Sequence, residues 1–115
     1  MSHPSLAAAR DTAAVEWDLV EDTVRWSPGA YRVLARDPRL GPLTLDQLPS
    51  YLVAGDRPLL CRMVTGALVC GRPLDCVVRV DHGADRATAV HCTGRPGFGP
   101  DGHVVSLHME LTAVR

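Results

Sequence analysis

The stretch from Glu16 to Leu34, EWDLVEDTVRWSPGAYRVL, constrains the chain more than any other. Val15, Trp17 and Leu19 alternate with Glu16, Asp18 and Val20, the two-residue period of a half-buried strand. Glu21-Asp22-Thr23 is a short polar break suited to a tight turn, and Val24-Arg25-Trp26 resumes the strand. Ser27-Pro28 has the form of a helix start, with Ser27 as N-cap and Pro28 in the first helical position. Ala30, Tyr31 and Leu34 fall on one face of that helix. Both tryptophans lie in this hairpin, so much of the aromatic burial must be concentrated there.

The remaining elements follow in order. SLAAARDTAA, residues 5 to 14, is alanine-rich and is expected to form a short helix within a leader spanning residues 1–13. A helix of that length needs a surface to dock on. Asp37-Pro38 and Gly41-Pro42 break the chain, and Thr44 is placed to cap a short turn, TLDQL. Asp56 is the expected N-cap of the clearest helix, residues 57 to 70. There Leu60, Met63, Val64, Ala67 and Leu68 recur at spacings of 3 and 4, and Gly71 closes the element. The last third reads as three strands. Leu74, Cys76, Val78 and Val80 form one apolar row, Val90 and Cys92 another, and Val105, Leu107, Met109 and Leu111 a third. Turns are expected at residues 82–85 and 98–102. Two strands, a set of helices and three more strands indicate an α+β fold in a single domain over residues 14–115.

Composition excludes several classes. A formal charge of -1 lacks the basic footprint of a nucleic-acid binder. No apolar run approaches a membrane span, and no basic-then-apolar leader marks a secretory signal, so a cytoplasmic protein is expected. Lys, Ile and Asn are absent, a bias that points to a GC-rich genome. Cys61, Cys70, Cys76 and Cys92 form no C-x-x-C pair and are expected to be reduced, mostly buried thiols, with no metal site. No G-x-S-x-G elbow, H-E-x-x-H or P-loop occurs, so a non-catalytic module is expected.

Trp17, Asp18, Trp26, Ser27, Tyr31 and Leu34 together resemble the opening of PAS domains, in particular the PAS fold-3 subfamily. Gly55-Asp56-Arg57 resembles the segment before that family's long helix. Gly71-Arg72-Pro73-Leu74 resembles its lead-in to the third strand. Gly94-Arg95-Pro96 with Asp101-Gly102, and Glu110-Leu111-Thr112, are similar to its closing hairpin and last strand. Ala54-Gly55, Ala89 and Glu110 depart from the family's His-Pro, Trp and Asp. The resemblance implies a five-stranded antiparallel sheet in spatial order 2-1-5-4-3, with helices over one face. It also implies a sensory or dimerisation module of a bacterial signal-transduction protein. Histidine kinases of two-component systems, diguanylate cyclases, phosphatases and antiterminators are the expected parents, and an effector domain is the expected partner.

A cavity between sheet and helices would be lined by Met63, Val64, Ala67, Val78, Val90, Cys92, Leu107 and Met109. That lining suits a small apolar ligand or a packed interior. The helix at 57–70 carries no His for haem, and Cys61-Arg62-Met63 is only a fragment of the reactive flavin motif, with no Asn in the chain. Haem and covalent flavin are therefore not expected, and the cofactor stays open. A homodimer is expected through Leu6, Val77, Arg79, His91, Val104 and His108, with His91 facing His108 across two strands on the outer side of the sheet. The competing expectation is a small α+β enzyme or small-molecule carrier with an apolar pocket. It needs Asp75 and Asp81 to turn inward.

Overall fold

The computed structural model describes residues 12–114. Its five strands are β1 (Thr12–Asp18), β2 (Thr23–Trp26), β3 (Leu74–Gly83), β4 (Arg86–Phe98) and β5 (Val104–Ala113). All neighbours are antiparallel and the order is β2-β1-β5-β4-β3, as the hairpin and its resemblance imply. Two helices, α1 (Pro28–Val33) and α2 (Arg57–Cys70), and three short 3-10 turns (Pro38–Leu40, Leu45–Tyr51 and Ala54–Asp56) lie between β2 and β3 in sequence.

Alternation along the strands separates the two faces. Ala13, Val15 and Trp17 are buried, as are Val78, Val80, Val90, Cys92, Leu107, Met109 and Leu111. Ala30, Val33 and Leu34 of the α1 region, and Leu60 and Ala67 of α2, meet that row from above. The core is wholly apolar among the described residues, so burial is its main source of cohesion. Trp17 is the largest side chain in it, and its indole N–H donates to the Leu43 carbonyl at 3.1 Å. That bond satisfies the one polar atom such a ring brings inside. Trp26 packs on Tyr31 with ring centroids 4.8 Å apart and planes tilted by 57°, fixing α1 to the hairpin, while its own buried indole N–H has no acceptor among the described residues.

Several local expectations change. Thr12 to Ala14, expected as the end of a leader helix, begin β1, and the rest of that segment, with Leu6, lies outside the described residues. Ser27 precedes α1 but does not cap it. Its hydroxyl accepts from the Ala14 N–H at 2.9 Å, because the hairpin brings that donor closer than the helix does. Thr44 does open the turn at 45–51, where the Gln47 carboxamide oxygen accepts from the Thr44 N–H at 3.1 Å. The two-residue turn between β3 and β4 puts Ala84 and Asp85 at φ 52° and 59°, the geometry whose twist matches a hairpin.

Asp56 does not cap α2 either. Its carboxylate reaches β3, accepting from the Arg79 backbone N–H at 2.8 Å and from the guanidinium at 2.9 and 3.0 Å. The Val53 N–H donates to the Arg79 carbonyl at 2.9 Å, and Leu52 bridges to Val80. Both backbone groups of an edge residue are thereby satisfied. Arg36 makes a second node, donating to the carbonyls of Gly41 and Leu40 at 2.6 and 3.1 Å and to the Tyr51 hydroxyl at 2.7 Å. It ties the chain after α1 to the end of the turn that precedes α2.

The Arg79 hydrogen bonds hold the Asp56 carboxyl below its usual range. A carboxyl whose pKa is depressed in the folded state contributes stability that is complete above its unfolded value, about 4, and fades as pH falls through the folded value. Asp56→Asn is therefore expected to lower stability at neutral pH and to flatten its decline below about pH 4. Urea denaturation followed between pH 7 and pH 2 checks this.

Candidate functional site

The main concavity is a groove of about 860 Å³. One wall is the β1–β2 hairpin, with Trp17, Asp18, Leu19, Thr23 and Val24. The second is the turn segment from Thr44 to Pro49, and the third is one face of α2, with Cys61, Val64, Thr65 and Leu68. The sequence places each wall for a different reason. Asp18 Oδ1 accepts from the N–H groups of Val20 and Glu21 at 3.0 and 2.9 Å, curling the hairpin tip beside the groove. The Trp17–Leu43 bond fixes where the second wall begins. Leu60 and Ala67 bury the underside of α2, which leaves Val64 and Leu68 half-exposed on the groove side.

Asp18, Asp22 and Asp46 line the groove, and no arginine does. The site therefore offers apolar surface and negative charge, and it offers no cation for a phosphate. Its volume falls within the range of small-molecule pockets.

Of the eight residues expected to line a cavity, Val64 alone borders this groove. Ala67, Val78, Val90, Cys92, Leu107 and Met109 are closed in the core, and Met63 is half-buried against it. Sequence periodicity found the inner faces correctly but could not say where they part. The gap opens at the hairpin tip and the turn at 44–49, where irregular backbone leaves no period to read. The acidic rim was missed for that reason.

The thiols are more exposed than expected. Cys61 and Cys70 are exposed, Cys76 is half-buried and Cys92 is buried. On a helix only one stripe faces inward, and Leu60 and Ala67 occupy it.

The outer face of the sheet is polar. Glu16 faces Arg25 on β2 and His108 on β5, at 3.4 and 3.6 Å, and His108 stands 3.8 Å from Glu110. His91 bonds Asp75 at 2.6 Å. His91 and His108 are not opposite each other, because His91 pairs with Thr112 and His108 with Arg95. The closing turn is centred later than a symmetric one at Gly99. β4 continues to Phe98, and the Gly99 N–H donates to the His103 carbonyl at 2.8 Å around Gly102, whose φ is 83°. Arg79 is drawn from this face to Asp56, while Val77 stays 52% exposed and Val104 is half-exposed. Asp75 and Asp81 point outward into solvent, away from any apolar pocket. Among the described residues no group of His, Cys, Asp and Glu is arranged to hold a metal, and no helix is long and apolar enough to cross a membrane.

No protein-family model and no curated protein matches the sequence. Solved structures do. A domain of a sensing histidine kinase from Haloarcula marismortui superposes with a TM-score of 0.80 over 97% of both chains, at 16% identity. The N-terminal domain of a diguanylate cyclase with a PAS/PAC sensor from Marinobacter aquaeolei gives 0.76 over 89% of this chain and 94% of that one, at 11% identity. The PAS domain of a Colwellia psychrerythraea protein gives 0.67 over 96% and 95%, at 15% identity. The chain has the PAS fold. The groove of this PAS fold lies on the helical side of its sheet, between hairpin tip and long helix.

Two substitutions on α2, under one turn apart, separate groove from core. Ala67→Leu is expected to cost about 1–3 kcal/mol, since the site is closed on all sides. Val64→Trp is expected to change stability by less than about 1 kcal/mol, since the new ring extends into open space. Denaturant midpoints of the two variants against the parent chain measure both.

Proposed function

We propose that this chain is a PAS-type sensory module, similar to the PAS fold-3 subfamily, in which occupancy of the groove is relayed to an effector. One observation carries the reading: a chain that superposes end to end on a histidine-kinase domain keeps an open pocket beside its long helix. The neighbours belong to a histidine kinase and a diguanylate cyclase, which supports an effector of that kind, carried in the same protein or met as a partner. The module itself is non-catalytic in this reading, binds no nucleic acid, and works in the cytoplasm of a bacterium as part of a two-component or related pathway.

The lining selects the ligand class. An apolar body fits against Trp17, Leu45, Val64 and Leu68, and a neutral or cationic head fits the rim carboxylates. Haem would lack a histidine there, and a flavin phosphate would lack a cation.

The signalling unit is a homodimer. Val77 and Val104 supply apolar surface on the outer face, His91 and His108 supply polar contacts, and the N-terminal segment with Leu6 extends the interface. Arg79 contributes from the rim through its stem, its head being held by Asp56.

Ligand and dimer are tested separately. Hexyltrimethylammonium is expected to raise the melting temperature saturably, and octanoate to do so far less. Equal effects from the two, or none from either, would remove the groove from the reading. Light scattering at micromolar concentration is expected to give a dimer mass that falls when residues 1–11 are deleted. A strict monomer in both forms would remove the dimer.

A further inference from the structure

Cys76 and Cys92 stand directly opposite each other on β3 and β4. Both belong to the inner rows of their strands. The Cys92 S–H donates to the Val90 carbonyl at 3.9 Å, which leaves the Cys92 sulfur beside Cys76 as its cross-strand neighbour.

The phase of the ladder decides what bond such a pair can make. Both backbone groups of Arg79 point out from the sheet edge, to Val53 and Asp56. Backbone direction alternates along an antiparallel pair, so residues 77 and 75 also point out, and 78, 76 and 74 point to β4. Cys76 and Cys92 thus form a hydrogen-bonded pair, with Cα atoms about 5.5 Å apart. That spacing lies inside the range of disulfides, while the Cβ separation of such a pair, up to about 5.5 Å, is wider than the roughly 3.8 Å a relaxed disulfide prefers. Closing it requires about 1 Å or more of inward movement. β3 can make that movement: it is the last strand of the sheet, and its outer edge is held near Arg79 and Val80, several residues from Cys76.

We propose that Cys76 and Cys92 are a reversible, oxidant-responsive dithiol, with Cys76 as the attacking thiol and Cys92 as the resolving one. The neighbouring Cys92 thiol pulls the Cys76 thiol down, against burial and the nearby Asp75 charge, which raise it. The Cys76 neighbour and burial push the Cys92 thiol up. Cys76 is also the more accessible of the two, half-buried where Cys92 is buried, so it is the thiol that meets the oxidant first.

With a peroxide as oxidant, the Cys76 thiolate attacks one oxygen. The O–O bond breaks, hydroxide leaves and Cys76 becomes a sulfenic acid. The Cys92 sulfur then attacks the Cys76 sulfur, the S–O bond breaks, and water leaves with the Cys92 proton. In sum two thiols lose two electrons and two protons to the peroxide, which becomes two waters. A disulfide closed across a wide pair is strained and so more easily reduced than a structural one. This makes the pair a sensor and not a staple. α2 packs on β3, so drawing this end of the strand inward bears on the helix that forms a groove wall.

Trypsin leaves Cys70 and Cys76 on one peptide, so the test uses Cys70→Ser. After stoichiometric hydrogen peroxide at pH 7.5, the peptide of Cys76 is expected to be joined to that of Cys92, two hydrogens lighter than their sum. Dithiothreitol is expected to separate them. In Cys76→Ser the link should be absent. In Cys92→Ser, which keeps a polar neighbour but cannot close the disulfide, dimedone should trap Cys76 as the sulfenic acid. The proposal is overturned if peroxide consumes Cys61 while Cys76 and Cys92 stay alkylatable, or if the only disulfides formed join two chains.

Discussion

The pairing of β1 with β5 is what the rest of the structure hangs on. Seven residues of β1, Thr12 to Asp18, register against Thr112 to Ser106, joining the chain's first described strand to its last. Closing so long a loop costs entropy that grows only slowly with length, and the inner row of Val15, Trp17, Leu107 and Met109 offsets it by burial. Without that seam the β1–β2 hairpin would be a separate two-stranded piece, marginal in water. The Trp17–Leu43 bond and the tilted Trp26–Tyr31 contact would then have nothing to hold the helical layer against.

How much of this could be read in advance depended on periodicity. The inner rows of β3, β4 and β5, with Val15 and Trp17 of β1 and Leu60 and Ala67 of α2, are regular and were legible. Leu19, inward by the same alternation, instead falls beyond the end of β1 and is exposed, and Val64 and Leu68 are half-exposed. Positions where two geometries competed for one polar side chain were not legible. Ser27 and Asp56 have the right identity and place for helix caps, but long-range donors, Ala14 N–H and the Arg79 backbone and guanidinium, came closer. Nothing local in a sequence records such a partner. The β4–β5 register slipped for a related reason. The turn expected at 98–102 is symmetric about Gly99, yet β4 runs on through Gly97, which leaves room for Ser106, to pair Phe98 with Val104.

The groove was the least legible part, because it is made by absence. It opens where α2 diverges from the hairpin tip and the segment at 44–49 fails to fill the gap. A residue on its rim serves backbone geometry as well: the Asp18 carboxylate curls the turn that forms one wall.

The anchoring of β3 by Val53 and Asp56 has a consequence for assembly. An uncovered edge strand is a template on which a stray segment can add by hydrogen bonding alone. Here the upper part of that template is occupied by the protein's own chain, and at the opposite side of the sheet β2 exposes only four residues. Growth of the sheet into a fibre-like ribbon is thereby limited at both ends, so two copies can meet face to face without the chain sticking to itself strand by strand.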